Sequence, residues 1–242
     1  MAVTTEIAPD LDRISIFAQR NNLQFNHFLV KDDEPLLFHT GLRGMHAEIR
    51  EAASKLIKLS ELRHISFSHF ESDECGSLNE WLAVAPKADV ICSQVGAFVC
   101  VNDFTGRESR ALTDGGTFAT GKYRFRYCRT PHLPHGWDAG LLFEETRGTL
   151  LCSDLFHQIG DVEPLTSADI VGRSHQALKE YQAGILAEYM PYTPLTAPIL
   201  KKLADLKPKT LAIMHGSSFT GDCARALDDF NSVLREVFGR QT

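Results

Sequence analysis

A chain of 242 residues, 43% hydrophobic and 23% charged, has the size and composition of one soluble domain, residues 1–242, with a sizeable core; disordered, collagenous and fibrous classes are excluded. Its 25 Lys and Arg against 31 Asp and Glu give a net charge of −6, which argues against nucleic acid or an anionic membrane as partner. No apolar run approaches the roughly 18 residues of a membrane span, and the opening MAVTTEIAPDLDR lacks a leader's basic and apolar regions, so a cytoplasmic location is expected. Residues 24–30 and 34–39 are short apolar runs around Lys31-Asp32-Asp33, the pattern of a hairpin. Residues 46–59 carry Ile49, Ala53, Leu56 and Ile57 at helical spacing. A strand over 64–68 runs into the polar cluster 69–74, after which Ser77-Leu78-Asn79-Glu80 has the form of a capping box opening a helix.

Further along, 89–92 reads as a strand, 96–103 as a short helix, and 122–129 as a strand with Tyr123, Phe125 and Tyr127 on one face. Residues 140–145 and 149–153 flank Thr146-Arg147-Gly148 as a second hairpin. Helices are expected over 167–182, 195–206 and 222–238, the last with Leu227, Phe230, Leu234 and Val237 on one face, and a strand over 210–214. Hairpins and helices interleave without a regular βαβ rhythm, which suggests two mostly antiparallel sheets with helices outside. The six cysteines form no CxxC pair, so neither a disulfide framework nor a zinc knuckle is indicated. Cys75 and Cys152, beside the polar motifs, read as buried and inert.

The chemistry concentrates at strand ends. In Ser68-His69-Phe70-Glu71-Ser72-Asp73-Glu74, His69, Glu71 and Asp73 recur at every second position, so an extended backbone would project all three to one side. A proline-braced loop, Thr130-Pro131-His132-Leu133-Pro134-His135-Gly136-Trp137-Asp138, follows another strand. Asp154 ends the strand before it, and His215 ends another, followed by a glycine that permits a sharp turn. Four strand ends thus each deliver a metal-capable side chain.

These motifs resemble the metallo-β-lactamase superfamily, and within it the flavodiiron branch and its flavin-less oxygen-binding relatives, in which H-x-E-x-D replaces the usual H-x-H-x-D-H. The resemblance extends from Asn26-His27-Phe28-Leu29-Val30 to His215-Gly216-Ser217. It implies an α+β fold, a four-layer αββα sandwich. It implies ligation of two iron ions by His69, Glu71, Asp73, His135 and His215, with Asp154 bridging. His135 is preferred to His132 because the family's histidine stands three residues before an aspartate, here Asp138. A carboxylate in place of a histidine at Glu71 favours iron or manganese over zinc and redox over hydrolysis.

Where the family commonly has a histidine after the motif's aspartate, this chain has Glu74, either a further oxygen ligand or a solvated acid ahead of a helix. His132 and His27 are further candidates for lining the pocket; His39 reads as structural, and His46, His64, His157 and His175 as surface or core. Trp81 and Trp137 read as packing residues, Trp137 near enough in sequence to brace His135. The resemblance further implies that dioxygen or nitric oxide is bound and reduced, and that the chain, with no FMN domain of its own, takes electrons from an external flavodoxin, rubredoxin or reductase. The family's dimers suggest a homodimer. Two alternatives share the ligands: a dinuclear hydrolase, which predicts zinc, and a non-catalytic oxygen-sensing module.

Overall fold

Strands whose residues are apolar at successive positions must bury both faces, and here two such groups of strands stack with helices outside them. The computed structural model describes residues 1–239; the expected domain span of 1–242 therefore ends in three residues outside the described ones. Sheet A runs in the order β1 (Val3–Ala8), β2 (Leu11–Ala18), β3 (Leu23–Val30), β4 (Leu36–Phe38), β5 (His64–Ser66), β6 (Asp89–Ser93), β7 (Arg110–Leu112). Sheet B contains β8 (Thr117–Ala119), β9 (Arg124–Arg129), β10 (Gly140–Glu144), β11 (Thr149–Ser153), β12 (Leu165–Thr166), β13 (Thr210–Ile213) and β14 (Ser218–Thr220). Its spatial order is β12-β14-β13-β11-β10-β9-β8.

The period of two separates three cores. Phe28, Val30, Leu36 and Phe38 of sheet A meet Phe125, Tyr127, Leu142, Leu151 and Ala212 of sheet B between the sheets. Their neighbours Leu29 and Leu37 face outward, onto Ile49 and Ala53 of α1 (His46–Ser54) and onto Trp81. On the other outer face Leu141, Phe143, Leu150, Leu211 and Ile213 pack against three helices whose ranges follow below. Four layers result, the expected αββα arrangement.

The 24–30/34–39 hairpin forms, with Phe28 opposite Phe38, and so does 140–145/149–153, with Leu142 opposite Leu151. Other expectations need correction. The β1–β2 hairpin was not anticipated, because its outer strand VTTEIA is mostly exposed and carries little apolar signal. The sheets are mixed: β4 to β7 run parallel to one another, as do β11 and β13. The helix expected over 46–59 ends at Ser54, and the strand over 64–68 ends at Ser66. Ser77 does not cap; its hydroxyl donates to the Thr40 carbonyl at 2.6 Å, and the helix nevertheless starts at Leu78.

The remaining helices are α2 (Ser72–Cys75), α3 (Leu78–Val84), α4 (Gln94–Gly96), α5 (Asn102–Thr105), α6 (Ile170–Gln182), α7 (Thr196–Asp205) and α8 (Cys223–Phe238), the last three covering sheet B. A π-helical stretch, Ala97–Val101, joins α4 to α5. Asp169 and Asp222 cap α6 and α8 by accepting from the amides of Gly172 and Arg225. No helix among the described residues is long and apolar enough to cross a membrane.

Candidate metal centre

The donors gather at one edge of the sandwich, each carried past the end of a strand. β5 ends at Ser66; His69 and Glu71 lie on the bend that follows, and Asp73 falls in the first turn of α2. The motif is therefore not one extended segment. Glu71 is extended at φ −139°, ψ 159°, but the backbone turns helical immediately afterwards, so Asp73 is aimed by a helical turn. The bend is pinned from the neighbouring loop, where Asp138 accepts from the Phe70 amide at 2.8 Å. At the end of β11, Ser153 adopts φ +52°, a left-handed conformation costly for a residue with a Cβ, and the β11–β13 register shifts there. That kink turns Asp154 into the edge. After β13, Gly216 at φ +120° lets the chain reverse, and both Asn26 and Arg13 donate to its carbonyl, holding the turn that carries His215.

Two groups of donors share one carboxylate. In the first, the Nε2 atoms of His69 and His135 are 2.8 Å apart and lie 2.9 and 2.6 Å from Glu71 Oε2, with Asp154 Oδ2 at 3.6 and 3.8 Å from them. In the second, His215 Nε2 is 3.1 Å from Asp154 Oδ1 and 3.3 Å from Asp73 Oδ2. The first triangle has no complete hydrogen-bond solution: if both imidazoles donate to the carboxylate, their two protons face each other. Three lone-pair atoms converging in this way is the arrangement a cation collects, and hard carboxylate oxygens with borderline imidazoles suit iron or manganese as well as zinc. His215 Nδ1–H donates to the Gln24 carbonyl at 2.8 Å, which leaves the Nε2 lone pair facing the cluster.

The electrostatics follow from burial among acids. Burial works against charge on His69, but Glu74, Glu71 and Asp154 outweigh it and hold its pKa up at about 10. His215 is likewise buried and is held up at about 10 by Asp154 and Asp73. Hydrogen bonds from His135 and His69 hold Glu71 down at about 2. Burial would raise Asp154, yet His215, His69 and His135 together hold it well below the usual carboxylate range. With no cation among them, the carboxylates keep protons on the imidazoles.

The structure brings together His69, Glu71, His135 and Asp154, joins His215 to them through Asp154, and sets Asp73 against His215 Nε2. It does not bring in His132, which is exposed at φ +63°, nor His27, which lies on the outer face of sheet A against Gly41 and Ile49 with both ring nitrogens unpartnered. Glu74 is not a solvated acid, and it stands outside both donor groups, its Oε1 3.8 Å from His69 Nδ1. It is fully buried beneath them, accepting from the Ser68 amide at 2.8 Å and from the Ser153 hydroxyl, with His39 Nε2 at 3.3 Å. Burial pushes its pKa up to about 8. Trp137 is exposed rather than packed, and the ring beside His135 is instead that of Tyr189, 5.0 Å away.

Sequence reasoning missed His157, which is buried and offers a nitrogen within 4.8 Å of donor atoms of Asp154 and His215. Its spacing of three from Asp154 just past a strand end was the readable signal. Tyr181 and Tyr189, which flank it, had none.

Among curated proteins the chain is 24% identical over 202 residues to the rubredoxin-oxygen oxidoreductase of Megalodesulfovibrio gigas, covering 81% of this chain and 49% of that protein. It is 24% identical over 225 residues to the nitric oxide reductase of Moorella thermoacetica, covering 88% and 54%. The chain thus spans about half the length of these curated relatives. Among solved structures, a flavoprotein from Thermotoga maritima superposes with a TM-score of 0.80 at 24% identity, over 96% of this chain and 61% of that one. A fragment of the diflavin flavoprotein A 5 from Nostoc sp. PCC 7120 gives 0.78 at 15% identity and covers 97% of both chains. The family model described as ODP family beta lactamase matches residues 23–216. The chain belongs to the ODP family of β-lactamase-like domains.

Proposed function

We propose that the chain holds two iron ions, one in each donor group with Asp154 between them, and reduces dioxygen or nitric oxide with electrons from an external donor. The observation that carries this reading is the shared carboxylate: Asp154 presents Oδ2 to His69 and His135 and Oδ1 to His215. Three carboxylates and three imidazoles offset much of the charge of two metal ions in either redox state, and the curated relatives named as oxygen and nitric oxide reductases support the same assignment. Bound there, an iron pair would supply the redox chemistry for a small diatomic substrate.

The protein's own part is positioning. The Gln24 carbonyl orients His215, Asp138 fixes the bend bearing His69 and Glu71, and Glu74 ties that bend to the Ser153 kink from below. The Glu71 side chain is half exposed, on the floor of a groove of about 690 Å³ that Leu42, Phe70 and Phe104 also line. An electron donor seated in that groove approaches the donor cluster closely, which supports electron entry from a rubredoxin, flavodoxin or flavin reductase.

The test is metal content and gas consumption. Protein purified from iron-replete cells is expected to hold two irons per chain, to change its optical spectrum between anaerobic reduction and aeration, and to consume dioxygen or nitric oxide with a reducing partner. Two zincs and no spectral change would reject the reading in favour of a hydrolase.

A further inference from the structure

Three side chains outside the H-x-E-x-D, His135, Asp154 and His215 set meet over the second donor group. His157 is 3% exposed, and its ring stacks on that of His215 at 4.4 Å and 28°. Tyr181, in the last turn of α6, places its hydroxyl 2.6 Å from His157 Nε2. Tyr189, on the loop after α6, places its hydroxyl 3.2 Å from Nδ1. His157 is thus held at both nitrogens by phenols.

A neutral imidazole has one donor and one acceptor nitrogen, so the two phenols cannot play the same role. The 2.6 Å contact suits an O–H donating to a bare nitrogen, and the 3.2 Å contact suits an N–H donating to oxygen. The order is then Tyr181 O–H to Nε2, and Nδ1–H to the Tyr189 oxygen. Tyr189 keeps its own proton for a further acceptor. Its ring lies 5.0 Å from that of His135, a member of the first donor group. Direct ligation by His157 fits less well: both nitrogens are engaged, and nearly parallel stacking on His215 sets the two rings' lone pairs side by side rather than aiming them at one point.

We infer that Tyr181, His157 and Tyr189 form a proton relay into the reducing site, with Tyr189 the donor to substrate oxygen and His157 the positioning residue that sets the direction of transfer. The inference rests on the proposed reductase function, because reducing dioxygen to water consumes one proton for each electron the external donor supplies. In one passage the Tyr189 O–H bond breaks and its proton bonds to a reduced substrate oxygen. Tyr189 is reprotonated from His157 Nδ1, Nε2 takes the Tyr181 proton, and Tyr181, which is only partly buried, takes one from water. His157 stays neutral throughout and ends as its other tautomer, so one passage delivers one proton.

Two variants and one spectroscopic measurement test this. His157→Phe keeps the stacking ring and removes both nitrogens; Tyr189→Phe removes one hydroxyl and guards against a folding failure of the first. Each iron-loaded variant is expected to retain two irons per chain, to lose oxygen consumption about 100-fold, and to show an altered solvent deuterium isotope effect, with partial recovery in His157→Gln. Independently of turnover, nitrogen-15 NMR of the zinc-loaded chain is expected to show His157 protonated at Nδ1 and bare at Nε2, with the tautomer shifting in Tyr181→Phe. Loss of one metal from His157→Phe would assign His157 as a ligand and overturn the relay. Unchanged turnover and isotope effect, or a His157 protonated at Nε2 or at both nitrogens, would overturn it as well. Wild-type protein that holds iron but consumes neither gas would instead reject the reductase function, while the tautomer and its dependence on Tyr181 still decide whether the chain of hydrogen bonds exists.

Discussion

The two donor groups are built from the same residue types but not to the same closeness. The first places His69, His135 and Glu71 within 2.6–2.9 Å of one another around a point that Asp154 also faces. The second offers His215, Asp73 and the other oxygen of Asp154 at 3.1–3.3 Å, and its remaining flank is occupied by His157 and two tyrosines. Glu74, next to Asp73 in sequence, stands outside both groups. Four convergent donors against three predict unequal affinities, the first group tight and the second exchangeable. Several variants and conditions separate the two.

The largest effect belongs to the residue both groups share. Asp154→Ala is expected to abolish two-metal occupancy, since it removes one ligand from each group and leaves His69 and His215 without a common partner; elemental analysis returning two metals per chain would show that Asp154 does not bridge. Next comes a split between the groups. His215→Ala is expected to leave one metal at full occupancy, whereas His135→Ala is expected to lower retention of the tighter ion, measured by competition with a chelator. Equal losses from the two variants would remove the distinction between a tight and an exchangeable position.

A third effect concerns protons. His69 and His215 are both held at about 10 while no cation is bound, so at pH 7 each carries a proton that a metal must displace. Loading is expected to release about two protons, and apparent affinity to fall as pH is lowered. Calorimetry in two buffers of different ionisation enthalpy reads the number directly; a release near zero would mean that the imidazoles are already neutral.

How much of this was legible beforehand depended on whether a residue's role is set locally. His69, Asp154 and His215 could be singled out because each lies just past a strand end, where backbone direction is fixed by the sheet, whereas Asp73 is aimed by a helical turn that its spacing did not announce. Two sheets with helices outside were legible from the interleaved hairpins and helices, while the four-layer αββα form came from the family resemblance; residues such as Leu36, Leu37 and Phe38, buried on both faces, show how it is built. The direction of Glu74 was not readable. It depends on the helical turn Ser72–Cys75, which the alternating spacing of His69, Glu71 and Asp73 disguised as a strand. His157 acquires its neighbours from α6 and the loop beyond it, and Tyr181 and Tyr189 lie more than twenty residues away in sequence. Trp137 misled in the opposite sense, since nothing in a proline-braced loop tells an exposed indole from a buried one.

The smallest expected effect tests what Glu74 does beneath the first group. Burial raises its pKa from the ordinary 4.5 to about 8, so between those values the folded chain holds a proton that the unfolded chain has released. Bound protons in excess in the folded state mean that stability falls as pH rises across that window. His69, raised from 6.5 to about 10, adds a loss of the same sign at higher pH. Glu74→Gln removes the first contribution and, because the Glu74 charge helps to hold His69 up, part of the second. A glutamine can still accept from the Ser68 amide, and its NH₂ takes the place of the oxygen beside the Ser153 hydroxyl, so the variant is expected to match the parent near pH 5 and to exceed it near pH 8 in denaturant midpoint, both measured on metal-free protein. Two metals per chain are expected to remain, because Glu74 stands outside both donor groups. A variant that kept the parent's full pH slope would show that Glu74 stays ionised in the fold, and one that lost a metal would return it to the ligand set and even out the contrast between the two groups.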